Sequence, residues 1–162
     1  MREEIFFVIN SDISQVNDII QKILVFSQDV FSSTAHLEVA LYEAIYNAIE
    51  HGNFEIDFRE KERMIEEGTF DKFIAERSKT NPYAHRKVKI KSEKDAEKQV
   101  FIIMDEGRGF DWKKQYDEVK DNDLYLGVNG RGMKIMTSVF DKVIYNEKGN
   151  EVCLVKKRDK KF

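Results

Sequence analysis

The sequence predicts an α+β fold, a two-layer sandwich in which helices cover one face of a mixed, mostly antiparallel sheet. Two observations support this class. Two long segments in the first third of the chain repeat apolar residues at helical spacing. Five shorter segments are apolar in the manner of strands, and four of these form two pairs joined by short polar turns, as antiparallel hairpins do. Helices and a sheet that face each other with their apolar sides enclose one hydrophobic core.

The elements are predicted in the order β-α-α-insertion-β-β-α-β-β. Asn10-Ser11-Asp12 and Ser32-Ser33-Thr34 supply capping side chains ahead of the first two helices. Gly149 lies in the turn between the last two strands, where a tight reversal favours glycine. The predicted strands are 4–9, 86–91, 98–105, 142–145 and 152–155, and the predicted helices are 13–29, 35–51 and 131–140.

Residues 54–86 are more charged than the rest of the chain and contain its only proline, Pro82. Two locally helical stretches, 59–67 and 70–77, are separated by Gly68. The segment is longer than the ~12–15 residues beyond which a plain loop is uncommon. We therefore predict a helical hairpin inserted into a single domain of residues 1–162. The hairpin is either a solvated excursion or an element that docks a partner or forms a dimer.

Composition excludes several classes of protein. The chain has 162 residues, enough for one domain with a full core, and 27 basic against 30 acidic residues give a formal net charge of -3. This balance gives no reason to expect direct nucleic-acid binding. Cys153 is the only cysteine, so no disulfide framework is possible within the chain. Neither a long apolar run nor a signal-peptide pattern occurs, and we expect a cytoplasmic protein without membrane contact.

A polar stripe marks the second predicted helix. Glu43 and Asn47 are four residues apart, which places them one turn apart on one face, among aliphatic residues. A carboxamide oxygen and phosphate oxygens suit Mg²⁺, which prefers hard oxygen ligands and retains several waters. A carboxylate one turn away can accept a proton from an attacking hydroxyl or water. Taken alone, the stripe is equally typical of an exposed helix face.

Two glycine-containing segments follow later in the chain. Asp105-Glu106-Gly107-Arg108-Gly109-Phe110 comes directly after an apolar strand, so Asp105 can accept a hydrogen bond from an amine such as that of adenine. The alternative is an ordinary turn. Gly127-Val128-Asn129-Gly130-Arg131-Gly132 precedes the third predicted helix, where free backbone N–H groups and Arg131 suit a phosphate group. The alternative there is a flexible loop.

Three motifs of this chain, taken in order, resemble those of the GHKL ATPase superfamily. They are E-x-x-x-N-A-x-x-H-G-N (43–53), D-x-G-x-G-F (105–110) and G-x-x-G-R-G (127–132). That superfamily includes gyrase, histidine kinases, the mismatch-repair ATPase and anti-sigma serine kinases. Residues 43–53, together with Phe140-Asp141-Lys142-Val143, are most similar to the bacterial anti-sigma factor serine/threonine kinases. The resemblance covers nearly the whole chain apart from 54–86, and it implies the Bergerat ATP-binding fold.

The resemblance also implies a role for each matching residue. Asn47 is expected to bind Mg²⁺, and Glu43 is expected to be the general base. ATP is the expected nucleotide, with residues 111–126 as its lid. Asp105 is expected to bind the adenine amine, with Gly107 and Gly109 shaping that pocket, and Gly130, Arg131 and Gly132 are expected to meet the phosphates.

Three functions are compatible with these motifs. The first is a Ser/Thr kinase of a bacterial partner-switching system, which phosphorylates an anti-anti-sigma-type protein, binds a sigma factor, or both. Since members of the resembled family often dimerise, a homodimer is among the expected partners. The second is a nucleotide-gated binding switch without kinase activity. The third is the catalytic domain of a histidine kinase, but the three histidines, His36, His51 and His85, do not lie in a long free-standing helical hairpin.

Overall fold

The structure is a computed structural model that describes residues 1–114 and 128–158, with the backbone alone for 128–130. Five strands and five α-helices lie in these ranges. The strands are β1 (Glu3–Asn10), β2 (Lys87–Lys94), β3 (Lys98–Met104), β4 (Lys142–Tyr145) and β5 (Glu151–Lys157). The helices are α1 (Val16–Ser27), α2 (Ala35–Asn47), α3 (Phe58–Glu66), α4 (Phe70–Arg77) and α5 (Val128–Val139).

The five strands form one sheet in the order β1-β2-β3-β5-β4, and each neighbouring pair is antiparallel. Phe101 of β3 is aligned with Leu154 of β5, and Ile103 with Ile90 of β2. Aligned residues point to the same face of a sheet, and all four of these side chains are buried. That face is the one the helices cover, which confirms the predicted α+β class.

The core lies between this face of the sheet and the helices. α1 and α2 pack side by side, and α2 also contacts α5. Burial of aliphatic side chains on facing elements is the main source of stability for such a sandwich. The largest fully buried side chains are Ile20, Ile23, Leu37, Leu41, Ile45, Ile49, Phe54, Ile90, Phe101, Ile103, Met136 and Leu154.

The predicted second helix changes its winding at its C-terminal end. The α-helix ends at Asn47 and continues as a π-helical segment, Ala48–Asn53. Within it, the Phe54 N–H donates to the Ile49 carbonyl at 2.8 Å, the i to i+5 spacing of a π-helix. This wider winding shifts the last side chains relative to an ideal helix, and it places Gly52 and Asn53 beside the end of β3.

The charged segment 54–86 contains the two helices α3 and α4, separated at Gly68. The Asp57 carboxylate caps α3 by accepting from the Arg59 N–H at 2.9 Å. Arg86, at the far end of the segment, pairs with Glu55 at its near end over 2.9 Å. The two ends of the insertion therefore lie together, and the strand β2 follows directly.

Several predicted boundaries differ from the observed ones, and two of the differences have a clear physical reason. β2 extends to Lys94 rather than ending at 91, because the buried Lys94 ammonium finds a partner in Asp29 at 2.8 Å. α5 begins at Val128 rather than at 131, so Gly130, Arg131 and Gly132 lie within the helix rather than before it. Packing of α5 against α2 outweighs the weak helix propensity of glycine there. Among the described helices, none is long and apolar enough to cross a membrane.

Candidate functional site

A cavity of about 190 Å³ lies where four parts of the chain meet. These parts are the C-terminal end of α2 with its π-helical extension, the loop after β3, the start of α5, and the β4–β5 turn. The start of the insertion closes a further side. Lining residues with a polar side chain or a glycine include Asn47, His51, Gly52, Glu55, Asp57, Asp105, Arg108, Gly109, Gly132, Tyr145, Gly149, Asn150 and Glu151.

Asp105 is the most perturbed carboxylate in the cavity wall. Its side chain is 7% exposed, and burial raises the pKa of its carboxyl to about 6. The Gly107 N–H donates to Oδ1 at 2.8 Å and opposes that rise. Oδ2 accepts no hydrogen bond from any described residue. One carboxylate oxygen is thus held by the loop, and the other is left for a donor on a ligand.

Two glycines permit the backbone to approach this carboxylate closely. A Cβ atom on Gly52 would lie 2.3 Å from the Asp105 Cγ and 2.5 Å from Oδ2. A Cβ on Gly107 would lie 2.2 Å from the Gly52 carbonyl oxygen. Both distances are far below van der Waals contact, so neither position accommodates a side chain in this arrangement. Gly107, predicted to shape the pocket, therefore lies directly against the π-helical segment.

Gly109 lies on the other side of the loop, against the β4–β5 turn. Its φ is +79°, a backbone conformation that favours glycine, and a Cβ there would lie 1.9 Å from the Lys148 carbonyl oxygen. Asn150 binds the loop further along, with Nδ2 donating to the Asp105 carbonyl at 2.9 Å. The backbone N–H of Asp105 donates in return to the Asn150 carbonyl at 2.9 Å. The turn thereby fixes the position of Asp105.

Glu43, Asn47 and Gly132 meet where α2 packs against α5. A Cβ on Gly132 would lie 2.8 Å from Glu43 Oε2 and 3.2 Å from Asn47 Nδ2. Asn47 lines the cavity together with Gly132, and Glu43 is half-buried beside them. The polar stripe predicted from the sequence is thus neither fully exposed nor buried in the core. It faces the first turns of α5.

The other two residues predicted to meet the phosphates are Gly130 and Arg131 of α5. Gly130 lies in the first turn of α5, and Arg131 is exposed and does not line the cavity. Arg108 lines it instead, a cation that the sequence analysis did not select. Of the predicted lid, 111–126, only 111–114 fall within the described residues.

Asn53 is a residue whose role the sequence did not reveal. It is fully buried, and its Oδ1 accepts from the Glu106 N–H at 2.7 Å. Its Nδ2 donates to Ser11 Oγ at 2.8 Å and to the Lys87 carbonyl at 3.0 Å. A single carboxamide therefore joins the π-helical segment to the residue after β1, to the start of β2 and to the loop that carries Asp105. The sequence signal was its place at the end of the 43–53 motif, but the burial of its side chain could not be read from that.

The insertion contacts the site through His51 and Glu50. The His51 ring lies 3.7 Å from the Phe58 ring, and its Nδ1–H donates to the Ile56 carbonyl at 2.6 Å. Burial lowers the pKa of His51 to about 4, so the imidazole is neutral at pH 7. Glu50, only 5% exposed, pairs with Lys61 of α3. Burial raises the pKa of Glu50, and Lys61 opposes that rise. These contacts fasten α3 to the wall of the cavity.

The residues 74–156, just over half of the chain, match the model of one protein family, the histidine kinase-like ATPase domain. The chain belongs to this family. The match includes Asp105, Gly107, Gly109 and the start of α5, but it begins inside the insertion and leaves out α2. No curated protein matches the chain. Membership of this family shows an ATP-binding domain, and two of the matched residues, Asp105 and Gly109, line the cavity. Asn47 lines it from outside the match, with Glu43 beside it.

Proposed function

We propose that this protein binds ATP with Mg²⁺ and transfers the terminal phosphoryl group to a Ser or Thr hydroxyl of a protein partner. The partner class we propose is an anti-anti-sigma-type protein of a bacterial partner-switching system, with a sigma factor as a second binding partner. Membership of the histidine kinase-like ATPase family supports the nucleotide, and the resemblance of residues 43–53 to anti-sigma factor kinases supports the partner class.

The observation that carries the proposal is that Asp105 and Asn47 line the same cavity. Asp105 presents a free carboxylate oxygen, an acceptor suited to the exocyclic amine of adenine. Asn47 and Gly132 line the same cavity where α5 meets it, and the N–H groups of the first turn of a helix favour phosphate oxygens. ATP carries both an amine and phosphates, the two groups that these parts of the wall suit.

The Asn47 carboxamide is the proposed protein ligand for the metal. The described residues contain no group of three or more His, Cys, Asp or Glu side chains able to hold a metal ion. A single carboxamide oxygen nevertheless fits Mg²⁺, which is commonly held by one or two protein groups together with substrate phosphates and water. When bound, Mg²⁺ would neutralise charge on the phosphates.

Glu43 is the proposed general base. It makes no ion pair or hydrogen bond with any described residue, so its carboxylate is free to accept a proton. Its Oε2 lies 2.8 Å from the Cβ position of Gly132, one of the residues proposed to meet the phosphates, which supports this role. In the proposed reaction Glu43 takes the proton of the partner hydroxyl as the oxygen attacks the terminal phosphorus, and ADP leaves with the electrons of the broken P–O bond.

Substitutions of Glu43 and Asp105 have different expected effects. Glu43→Gln keeps the shape of the side chain and removes the base, so phosphotransfer should fall about 10²- to 10⁴-fold while ATP affinity stays unchanged. Asp105→Asn should instead weaken ATP binding itself. The measurements are calorimetric titration with ATP and Mg²⁺, and transfer of labelled phosphate from ATP to the purified anti-anti-sigma-type protein of the same genome. An unchanged transfer rate in Glu43→Gln would exclude the base assignment.

A second function, a nucleotide-gated binding switch without phosphotransfer, is supported by the position of the insertion. Ile56, Asp57 and Phe58 line the cavity just before and at the start of α3, and α3 also contacts α5. A bound nucleotide would therefore touch both the insertion and the phosphate-binding helix, and could bias a partner surface without chemistry. In that case Glu43→Gln leaves ATP-dependent partner binding intact, whereas Asp105→Asn abolishes it.

A further inference from the structure

Tyr145 also lines the cavity, and none of the proposed contacts to ATP involves it. It is the last residue of β4 and is aligned with Val152 of β5 in the antiparallel register. Aligned residues share a face of the sheet, and Val152 is buried on the face that the helices cover. Tyr145 therefore points toward the helices, and it lines the same cavity as Asp105.

The Tyr145 ring is held by two aromatic neighbours. Phe110 meets it edge-on at 5.2 Å between ring centroids, and Trp112 stacks against it at 6.1 Å with an interplanar angle of 23°. Trp112 is itself fixed, since its indole N–H donates to the Asn146 carbonyl at 3.0 Å. Trp112 does not line the cavity and instead supports Tyr145. The direction of the phenol is thus set before any ligand arrives.

The Tyr145 hydroxyl has no hydrogen-bond partner among the residues at 1–114 and 131–158. A tyrosine with a largely buried ring normally finds one, so an unpaired hydroxyl at a cavity wall points to a ligand. Burial and the nearby Asp105 charge raise the pKa of Tyr145 above its ordinary value. The hydroxyl therefore keeps its proton and can donate at any physiological pH.

We propose that Tyr145 is a second base-recognition residue, whose hydroxyl donates to a ring nitrogen of adenine next to the amine that Asp105 accepts. Adenine presents its amine between two ring acceptors, N1 and N7. Asp105, an acceptor, and Tyr145, a donor, line the same cavity close enough for the Asp105 charge to act on the phenol, and together they match that donor–acceptor edge. The inference rests on the nucleotide site of the proposed function, but it does not depend on whether the phosphoryl group is transferred.

The test is calorimetric titration of the wild type and Tyr145→Phe with ATP, 1-deaza-ATP and 7-deaza-ATP. Tyr145→Phe keeps the ring and its aromatic contacts, and we expect ATP affinity to fall about 3- to 10-fold. The wild type should lose a similar factor with the analogue that lacks the accepted nitrogen. Tyr145→Phe should lose nothing further with that analogue, because the hydrogen bond is already gone.

Tyr42→Phe is the matched control, because it removes a hydroxyl that bonds to Asn17 on α1, away from the cavity. Its ATP affinity should equal that of the wild type. Equal ATP affinity of the wild type and Tyr145→Phe would overturn the proposal. It would also be overturned if each analogue lowered the affinity of the wild type and of Tyr145→Phe by the same factor. Failure of the wild type to bind ATP would instead refute the nucleotide site itself, and ATP binding without phosphotransfer would refute only the kinase reaction.

Discussion

Gly52→Ala is a single-methyl change that tests the geometry of the nucleotide site. The added Cβ would lie 2.3 Å from Asp105 Cγ, 2.5 Å from Oδ2 and 2.7 Å from Oδ1. To restore van der Waals contact the carboxylate must move by about 1 Å. It cannot do so freely, because the Gly107 N–H holds Oδ1 at 2.8 Å and Asn150 holds the Asp105 carbonyl.

The magnitude follows from what this displacement breaks. A hydrogen bond from the adenine amine to a carboxylate is worth about 1.5–3 kcal/mol, so its loss weakens ATP binding about 10- to 150-fold. Stability changes less. Alanine gains about 0.5–1 kcal/mol over glycine in a helical segment, and overpacking costs about 1–3 kcal/mol. The melting temperature should therefore fall by only a few degrees while affinity falls by an order of magnitude or more.

Gly68→Ala provides the matched control for this change. Gly68 has a φ of +69° and nothing within 4 Å of its Cβ position, and it lies between α3 and α4, away from the cavity. Strain in the left-handed region should cost about 1–2 kcal/mol of stability without changing ATP affinity. The assay is calorimetric titration of both variants, with thermal unfolding measured alongside. If a folded Gly52→Ala protein bound ATP as tightly as the wild type, the assignment of Asp105 to the base would be refuted.

Three further predictions concern the surroundings of the same site. An NMR titration of the Asp105 carboxyl carbon should give a midpoint near pH 6, the value to which burial raises its pKa. The midpoint should fall when ATP is bound, because the adenine amine favours the ionised carboxylate. A midpoint near 4 in the free protein would contradict the burial. Asn53→Ala should lower the free energy of unfolding by about 3 kcal/mol in urea denaturation, because buried partners including the Glu106 N–H lose their hydrogen bonds; a loss within about 0.5 kcal/mol would contradict that network. Lys61→Ala leaves Glu50 buried and unpaired, and it should lower the free energy of unfolding by roughly 2–4 kcal/mol. Most of this loss should disappear when Lys61→Ala is made in the Glu50→Gln protein. Additive losses in this double-mutant cycle would show that the two side chains are not coupled.

The strands and helices could be predicted because their residues carry the period of the face that they bury. The alternating Lys87-Val88-Lys89-Ile90-Lys91 forms β2 with Val88 and Ile90 on the covered face. The i to i+4 spacing of Glu43 and Asn47 correctly placed both on one face of α2. Local spacing decides such features, so no knowledge of the partner elements was needed.

Tertiary packing decides the features that the sequence did not reveal. The π-helical winding at Ala48–Asn53 has no local signal apart from a glycine near its end, and it depends on the fit of Gly52 against Asp105. The predicted start of α5 was wrong because the low helix propensity of glycine favours a later start. The contact between Gly132 and the stripe of Glu43 and Asn47 on α2 is not visible in the local sequence. Arg108 and Tyr145 were not selected, since nothing nearby in the sequence shows that two distant elements turn their side chains into one cavity.

The order H-G-N at 51–53 has a physical reason that extends beyond its resemblance to a family. Each of the three residues contacts a different part of the site: His51 packs on Phe58 at the start of α3, Gly52 makes room for the Asp105 carboxylate, and Asn53 binds the loop after β3. An ideal α-helix turns successive residues by about 100°, and the wider π-helical winding of Ala48–Asn53 turns them by less, but it still points three consecutive side chains in different directions. Because this end of the helix lies between the insertion and the sheet, each of the three side-chain positions contacts another part of the protein. A nucleotide that displaced Asp105 by a fraction of an ångström would therefore press on Gly52, and through the same short segment on the base of α3. The same short segment thus connects the cavity wall to the insertion. For the proposed partner-binding function we therefore expect Gly52→Ala to alter the partner affinity measured by calorimetry, even at saturating ATP.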